Sequence, residues 1–215
     1  MPPALNSKTQ FYKPLELTVK SLITQFDTIS AERKAILKQL TDFIDDNRKR
    51  NQKIELIFIC THNSRRSHIS QLWAQLAAAY YGIGNVVSYS GGTEATAFNP
   101  RAVNAMQNVG FKINAATNGD NPVYEVKFSD EANEVPVYSK KYDADSNPKK
   151  NFAAIMTCSH ADENCPVVVG MEKRISLPYD DPKDFDGTPQ ESSKYTERVM
   201  EIGKEILFAF SQVNV

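Results

Sequence analysis

Apolar positions along the chain change their period several times, and each change marks an element. Within residues 15–50 they recur at helical spacing, with Ile36, Leu37, Leu40, Phe43 and Ile44 on one stripe. Ser30 stands before that stripe as an N-cap, with Glu32 in the first turn. Asn47-Arg48-Lys49-Arg50 suits the negative end of the helix dipole as a solvated terminus. Ile54 to Ile59 (IELIFI) is an almost unbroken apolar run, the mark of a strand buried on both faces of a parallel sheet. The helical period returns from about Ser67 to Tyr81, with Ile69, Leu72, Trp73, Leu76 and Tyr80 on its core face. Val86 to Tyr89 reads as a second strand, running into Ser90-Gly91-Gly92-Thr93. Asn99-Pro100 opens a short helix to Val109. Phe152 to Thr157 and Arg174 to Leu177 are two further strands. Thr188-Pro189-Gln190-Glu191 reads as a capping box with proline at the first helical position, opening a last helix through Val199, Ile202, Ile206, Leu207 and Phe210.

Strands alternating with helices predict a doubly wound α/β sheet. Residues 115–150 break the rhythm. Tyr124, Val126 and Phe128 alternate with polar residues, as does part of Val135 to Tyr142, so a β-hairpin insertion packing its apolar face on the domain is expected, followed by a polar loop. The division is then a helical extension at 1–52 and an α/β domain at 53–215 carrying the insertion. The extension either packs outside the sheet or mediates dimerisation, and the sequence leaves both open. With 215 residues, 41% of them hydrophobic, the chain can bury a full core. A net charge of −1 makes no case for nucleic acid or an anionic membrane as partner. No apolar run approaches the roughly 20 residues of a membrane span, and MPPALNSKTQ lacks the apolar segment of a secretory signal. Three cysteines, Cys60, Cys158 and Cys165, read as free thiols in a reducing cytoplasm.

Cys60 closes the first strand, Thr61, His62, Asn63, Ser64 and Arg65 form a tight loop, and Arg66-Ser67 open a helix. In such a loop successive backbone N–H groups converge and the helix N-terminus adds positive charge, a cradle for a tetrahedral oxyanion. Arg66 can grip two of the anion's oxygens. The same field favours the thiolate of Cys60, a nucleophile aimed at the bound anion, and Ser67 can hydrogen-bond the sulfur. The bland alternative is a buried structural cysteine followed by two surface arginines. The strand-to-helix placement favours the functional reading.

The stretch CTHNSRRS resembles the phosphate-binding loop of low-molecular-weight protein tyrosine phosphatases and of the arsenate reductases that share their fold. The resemblance implies a three-layer α/β/α domain with a four-stranded parallel sheet. It also implies a general acid just before a proline late in the chain, which falls on Asp181 of Tyr179-Asp180-Asp181-Pro182. TCSHADENCP (157–166), SYSGGTEATAFNPRAVNAMQN (88–108) and LPYDDP resemble the thioredoxin-coupled arsenate reductases in particular. That family implies a relay: Cys60 attacks arsenate, Cys158 attacks the Cys60 sulfur and releases arsenite, and Cys165 moves the disulfide to Cys158–Cys165, where thioredoxin reduces it. No tightly bound cofactor is expected, beyond a potassium ion that the family holds with the loop asparagine, a strand serine and a helix glutamate. Asn63 and Ser90 match that set, whereas the glutamate position carries Gln71. Arg65 stands where these reductases often have cysteine, and the 115–150 insertion falls where their chains are shorter.

Three other readings compete. A phosphatase acting on phosphotyrosine or a small phosphomonoester would use Cys60, Arg66 and Asp181 and leave Cys158 and Cys165 idle. Lys183-Asp184, with Phe185 only later, lacks the aromatic lining such enzymes carry after Asp-Pro. A binding module or sensor would hold the anion without turnover. A zinc site from Cys158, His160 and Cys165, perhaps with His62, lacks paired Cys-x2-Cys knuckles. His160 is expected in a polar loop, His68 on a helix surface, and His62 at the anion entrance.

Overall fold

The computed structural model describes residues 9–164 and 167–214. Helices Lys13–Ile23 (α1) and Ala31–Lys49 (α2) come first, joined by a 3-10 turn at Phe26–Thr28. Ser30 caps α2 as expected, its hydroxyl accepting from the Arg33 N–H. Then follow β1 (Ile54–Cys60), α3 (Arg66–Tyr80), β2 (Val86–Gly92) and α4 (Pro100–Asn108). After the insertion come β6 (Phe152–Met156), the short α5 (Ser159–Asn164), β7 (Met171–Ser176) and α6 (Glu191–Ser211). β2-β1-β6-β7 form one four-stranded parallel sheet, with β1 in the middle.

Period-two alternation sorts the strand residues between two cores. Ile54, Leu56 and Phe58, with Ala153, Ile155 and Ile175, join the large cluster that holds the buried faces of α1, α2, α3, α4 and α6. Ile57, Ile59, Ala154 and Met156 point into a smaller cluster with Cys60, Cys158, Ala161 and Val168. The α/β/α layering is therefore present but unequal: among the described residues the second helical layer is α5, completed by the end of the insertion through Tyr142. Leu15, Val19, Leu22, Leu37, Leu40 and Ile44 of the first two helices are essentially buried in the common core. α3 and α6 approach so closely that a Cβ on Gly203 would lie 2.5 Å from the Trp73 ring. Among the described residues no helix is long and apolar enough to cross a membrane.

Two expectations need correction. The insertion is a three-stranded antiparallel sheet of β3 (Lys112–Ala115), β4 (Tyr124–Lys127) and β5 (Val135–Val137), of which the expected hairpin is the second half. β3 escapes pattern reading because its four residues carry one buried side chain, Ile113. Val126 and Phe128 do turn into the core. The N-terminal extension meets this sheet, with the Tyr12 N–H donating to the Phe128 carbonyl at 3.1 Å. Beyond β5 the chain runs along the outer side of β2. Gly92 and Lys141 form a parallel bridge, and the Asn147 amide donates to the Ser90 carbonyl. The second correction concerns α6. Gln190 is its N-cap and makes no side-chain cap bond. Glu191 is thus the first helical residue rather than the third. Its carboxylate accepts from the Gly187 N–H at 2.6 Å and pairs with Arg101, which displaces the capping box.

Candidate active site

Cys60 ends β1 opposite Gly92 and is 3% exposed. The loop after it makes a sharp return that Asn63 turns with φ +44°. Gly92 leaves room for this: a Cβ there would stand 2.6 Å from the Asn63 nitrogen and 2.7 Å from the Thr61 oxygen. The loop carbonyls are engaged from outside. That of Cys60 accepts from Thr93 N–H, Thr61 from Glu94 N–H and the Thr93 hydroxyl, His62 from the hydroxyls of Thr96 and Ser139, and Ser64 from Asn99 N–H. Among the described residues, the backbone N–H groups of His62 to Ser67 find no protein acceptor, so the loop offers donors only. The loop stands at the head of the fifteen-residue helix α3, whose N-terminus favours an anion.

The side chains complete the arrangement. The Ser67 hydroxyl lies 3.1 Å from the Cys60 sulfur and accepts from the Asn63 amide at 2.9 Å. Asn63 is fully buried, and its carbonyl oxygen accepts from the Lys140 N–H at 2.8 Å. Arg66 donates to the Tyr179 carbonyl at 2.9 Å and to the Asp181 carboxylate at 2.6 Å, while its buried Nε has no partner. Asp181 also accepts from the Lys183 N–H as the cap of a 3-10 turn, Pro182–Phe185. Arg65 is turned aside: its Nε donates to the Tyr195 hydroxyl at 2.8 Å and stands 3.9 Å from Asp181. Tyr195 in turn donates to Asp186, and burial pushes its hydroxyl up to about 12. His62 is half-buried beside Glu94 at 3.5 Å.

β6 lies beside β1, so Cys158 emerges next to Cys60 at the carboxyl edge of the sheet. Cys158 is 1% exposed, and its sulfur lies 3.5 Å from the Thr61 hydroxyl. α5 continues from it, fixed to β7 by Asp162, which accepts from Arg174 at 2.7 Å and from Ser176 at 2.5 Å. His160 sits on α5 rather than in a loop, its Nδ1 3.3 Å from the Thr61 hydroxyl. Cys165 lies outside the described residues. The site thus brings Cys60, Thr61, Asn63, Ser67, Arg66, Asp181 and Cys158 together.

A comparison of sequences bears on this geometry. An arsenate reductase of Halalkalibacterium halodurans is 31% identical over 157 residues, 73% of this chain and 94% of that protein. The chain belongs to the superfamily of low-molecular-weight phosphotyrosine phosphatases and the arsenate reductases that share their fold. The sequence pattern described as low molecular weight phosphotyrosine protein phosphatase matches residues 55–126. An arsenate reductase of Bacillus subtilis is 31% identical over 70% of this chain and 91% of its own. Among solved structures, a low molecular weight phosphotyrosine phosphatase of Vibrio cholerae O395 covers 71% of this chain and 92% of its own at 12% identity, with a TM-score of 0.47. The matched residues include Cys60, the loop after it and Arg66.

Sequence reasoning missed two features here. His68, expected on a surface, is fully buried, with its Nδ1 3.0 Å from the Ser90 hydroxyl and its ring 4.5 Å from that of Phe98. Burial, reinforced by the nearby Lys140 charge, holds its pKa well below the usual histidine value, so the ring is neutral. Ser139 and Lys140 of the insertion, which hold the loop at His62 and Asn63, had no signal beyond two polar residues in a polar stretch. The Asn63 oxygen is taken by Lys140 N–H, the Ser90 hydroxyl by His68, and Gln71 supplies no charge. The Gln71 carbonyl oxygen, buried beside them in the chain's third helix, has no partner among the described residues.

Proposed function

We propose that the chain reduces arsenate to arsenite with Cys60, Cys158 and Cys165 as a thiol relay and a thioredoxin-like dithiol as the final reductant. The observation that carries the reading is the placement of two buried thiols at the ends of adjacent parallel strands, beside a loop of free amide donors. A phosphatase has no use for the second. Arsenate enters the loop, and the Arg66 guanidinium turns from Asp181 to two of its oxygens. Cys60 thiolate attacks arsenic(V), and one oxygen leaves as water with its proton from Asp181 or solvent. Cys158 thiolate then attacks the Cys60 sulfur. The S–As bond breaks with its electron pair going to arsenic, giving arsenite and a Cys60–Cys158 disulfide. Cys165 thiolate attacks Cys158 and frees Cys60 as a thiolate. The external dithiol reduces Cys158–Cys165 and is itself oxidised. Ser67, bonded to the Cys60 sulfur, stabilises it as the leaving thiolate.

The test is arsenite production with thioredoxin, its reductase and NADPH. Cys158→Ser is expected to lower multiple turnover at least 100-fold and to leave phosphate binding within about twofold, since the anion loop does not contain it. Undiminished turnover by that variant would refute the relay. Hydrolysis of p-nitrophenyl phosphate that exceeds arsenate reduction, and that Cys158→Ser and Cys165→Ser leave unchanged, would make the chain a phosphatase instead.

A further inference from the structure

Asp181 stands to lose its partner when an anion arrives. Its carboxylate accepts from Arg66 at 2.6 Å, and the same guanidinium is the one that turns to the oxyanion. A carboxylate left bare there repels the incoming charge and competes to keep the arginine.

Arg65 lies at the other oxygen of that carboxylate with most of its donors unspent. The residue is 9% exposed, and a guanidinium carries several N–H groups. Among the described residues it makes one hydrogen bond, from Nε to the Tyr195 hydroxyl at 2.8 Å. Two carboxylates flank it at longer range, Asp181 at 3.9 Å and Asp186 at 3.6 Å. An arginine taken out of water is costly unless its charge is paired and bonded. This one stands between two acids and is bonded to neither.

The surroundings favour one of the two. Tyr195, on α6, is 1% exposed and donates its hydroxyl proton to Asp186 at 2.8 Å. Burial pushes that hydroxyl up to about 12, so it keeps the proton and meets Arg65 with its oxygen. Asp186 has a further cation in Arg101, at 3.8 Å. Asp181, once Arg66 has left it, keeps only the Lys183 N–H. The stronger pull on Arg65 is then toward Asp181. Closing from 3.9 Å to the ~2.8 Å of a charge-assisted bond takes a shift of about 1 Å.

We propose that Asp181 is handed from Arg66 to Arg65 when an oxyanion enters the loop: Arg65 takes the carboxylate, and Arg66 is released to the anion. Until then Tyr195 holds the Arg65 guanidinium in reserve. Arg65 is a positioning residue, whose side chain acts through Asp181 and does not touch the anion. The inference rests on the loop being an oxyanion site with Asp181 beside it, as proposed above, but not on arsenate being reduced there.

The experiment is a double-mutant cycle read as inorganic phosphate affinity by calorimetry. Arg65→Met keeps the apolar stem without the charge and is expected to bind phosphate about tenfold more weakly than the wild type. In an Asp181→Asn background there is no carboxylate to hand over, and the same change is expected to weaken binding less than about twofold. Arg65→Lys is expected to recover most of the loss. An equal loss in both backgrounds overturns the exchange, since damage to the fold or a direct field of Arg65 on the anion would act in both. So does Arg65→Met that binds phosphate as the wild type does. A crystal structure of the wild type with phosphate needs no variant to fold. It is expected to show Arg66 on the phosphate and an Arg65 nitrogen within about 3 Å of Asp181; phosphate bound with Arg65 still apart from Asp181 overturns the exchange. A wild type that binds phosphate and shows the exchange but reduces no arsenate overturns the reductase reading and leaves Arg65 its role. One that binds no phosphate overturns both.

Discussion

Lys140 is held in a place that lowers its own basicity: burial pulls its ammonium down to about 8. The sign of the consequence follows from proton counting. Below pH 8 the folded and unfolded chains both carry the proton, and the folded state bears the full desolvation penalty. Between pH 8 and the ordinary lysine value near ~10.4, the unfolded chain still holds a proton that the folded chain has released, so this group's contribution to stability rises with pH. Lys140→Met is therefore expected to be more stable than the wild type at pH 7, with the difference shrinking as the pH rises from 8 to 10.5. Urea midpoints for the two proteins across that window measure it, and a difference that stays constant would mean the side chain is not desolvated. At this scale the sequence was most informative where chemistry is local. Cys60, Arg66 and Ser67 lie within eight consecutive residues, and that spacing between an apolar strand and a helix is what marks them as candidates. It was silent on His68 and Lys140, because a lone polar residue at either position reads as surface until distant segments close over it.

At the scale of elements, α5 is a single short helix between β6 and β7. Its six residues cannot sustain a helix unaided. Its fixation comes from Ala161, buried against β1 and β6, and from Asp162, whose carboxylate takes two hydrogen bonds from Arg174 and one from Ser176 of β7 and whose carbonyl takes a third from Arg174. This clasp holds the turn that follows Cys158. Asp162→Ala is expected to lower global stability by about 1–2 kcal/mol, as a partly buried charge-assisted pair does, and to raise amide exchange selectively in residues 159–163. Hydrogen exchange by mass spectrometry reads this directly, and unchanged protection there would show that Ala161 alone holds the helix. The strands of the main sheet were legible because apolar runs flanked by turns have few other solutions. β3 was not, since an edge strand with one inward residue has no period to read. The start of α6 was misplaced because Glu191 has two better partners than a capping box, one of them Arg101, ninety positions away in sequence.

At the scale of the whole molecule, the extension and the insertion are joined to the sheet domain rather than appended to it. Phe11 stacks on Phe128 of the insertion at 5.8 Å, α1 and α2 bury their apolar stripes on α6, and residues 138–147 run alongside β2. The sequence showed that both segments exist but not where they rest, because the surfaces they cover are assembled from elements far apart in the chain. The covering of β2 has a bearing on solubility. A parallel sheet with a bare border is a template for other chains, and β2 borders this one. The segment beyond β5 seals that border with its own backbone at Gly92 and with the Asn147 amide at Ser90. Shortening the chain by residues 117–146 is therefore expected to yield a protein that self-associates at micromolar concentration, visible by light scattering, while the intact chain stays monodisperse. An excised protein that remains monodisperse would show that something else shields the strand.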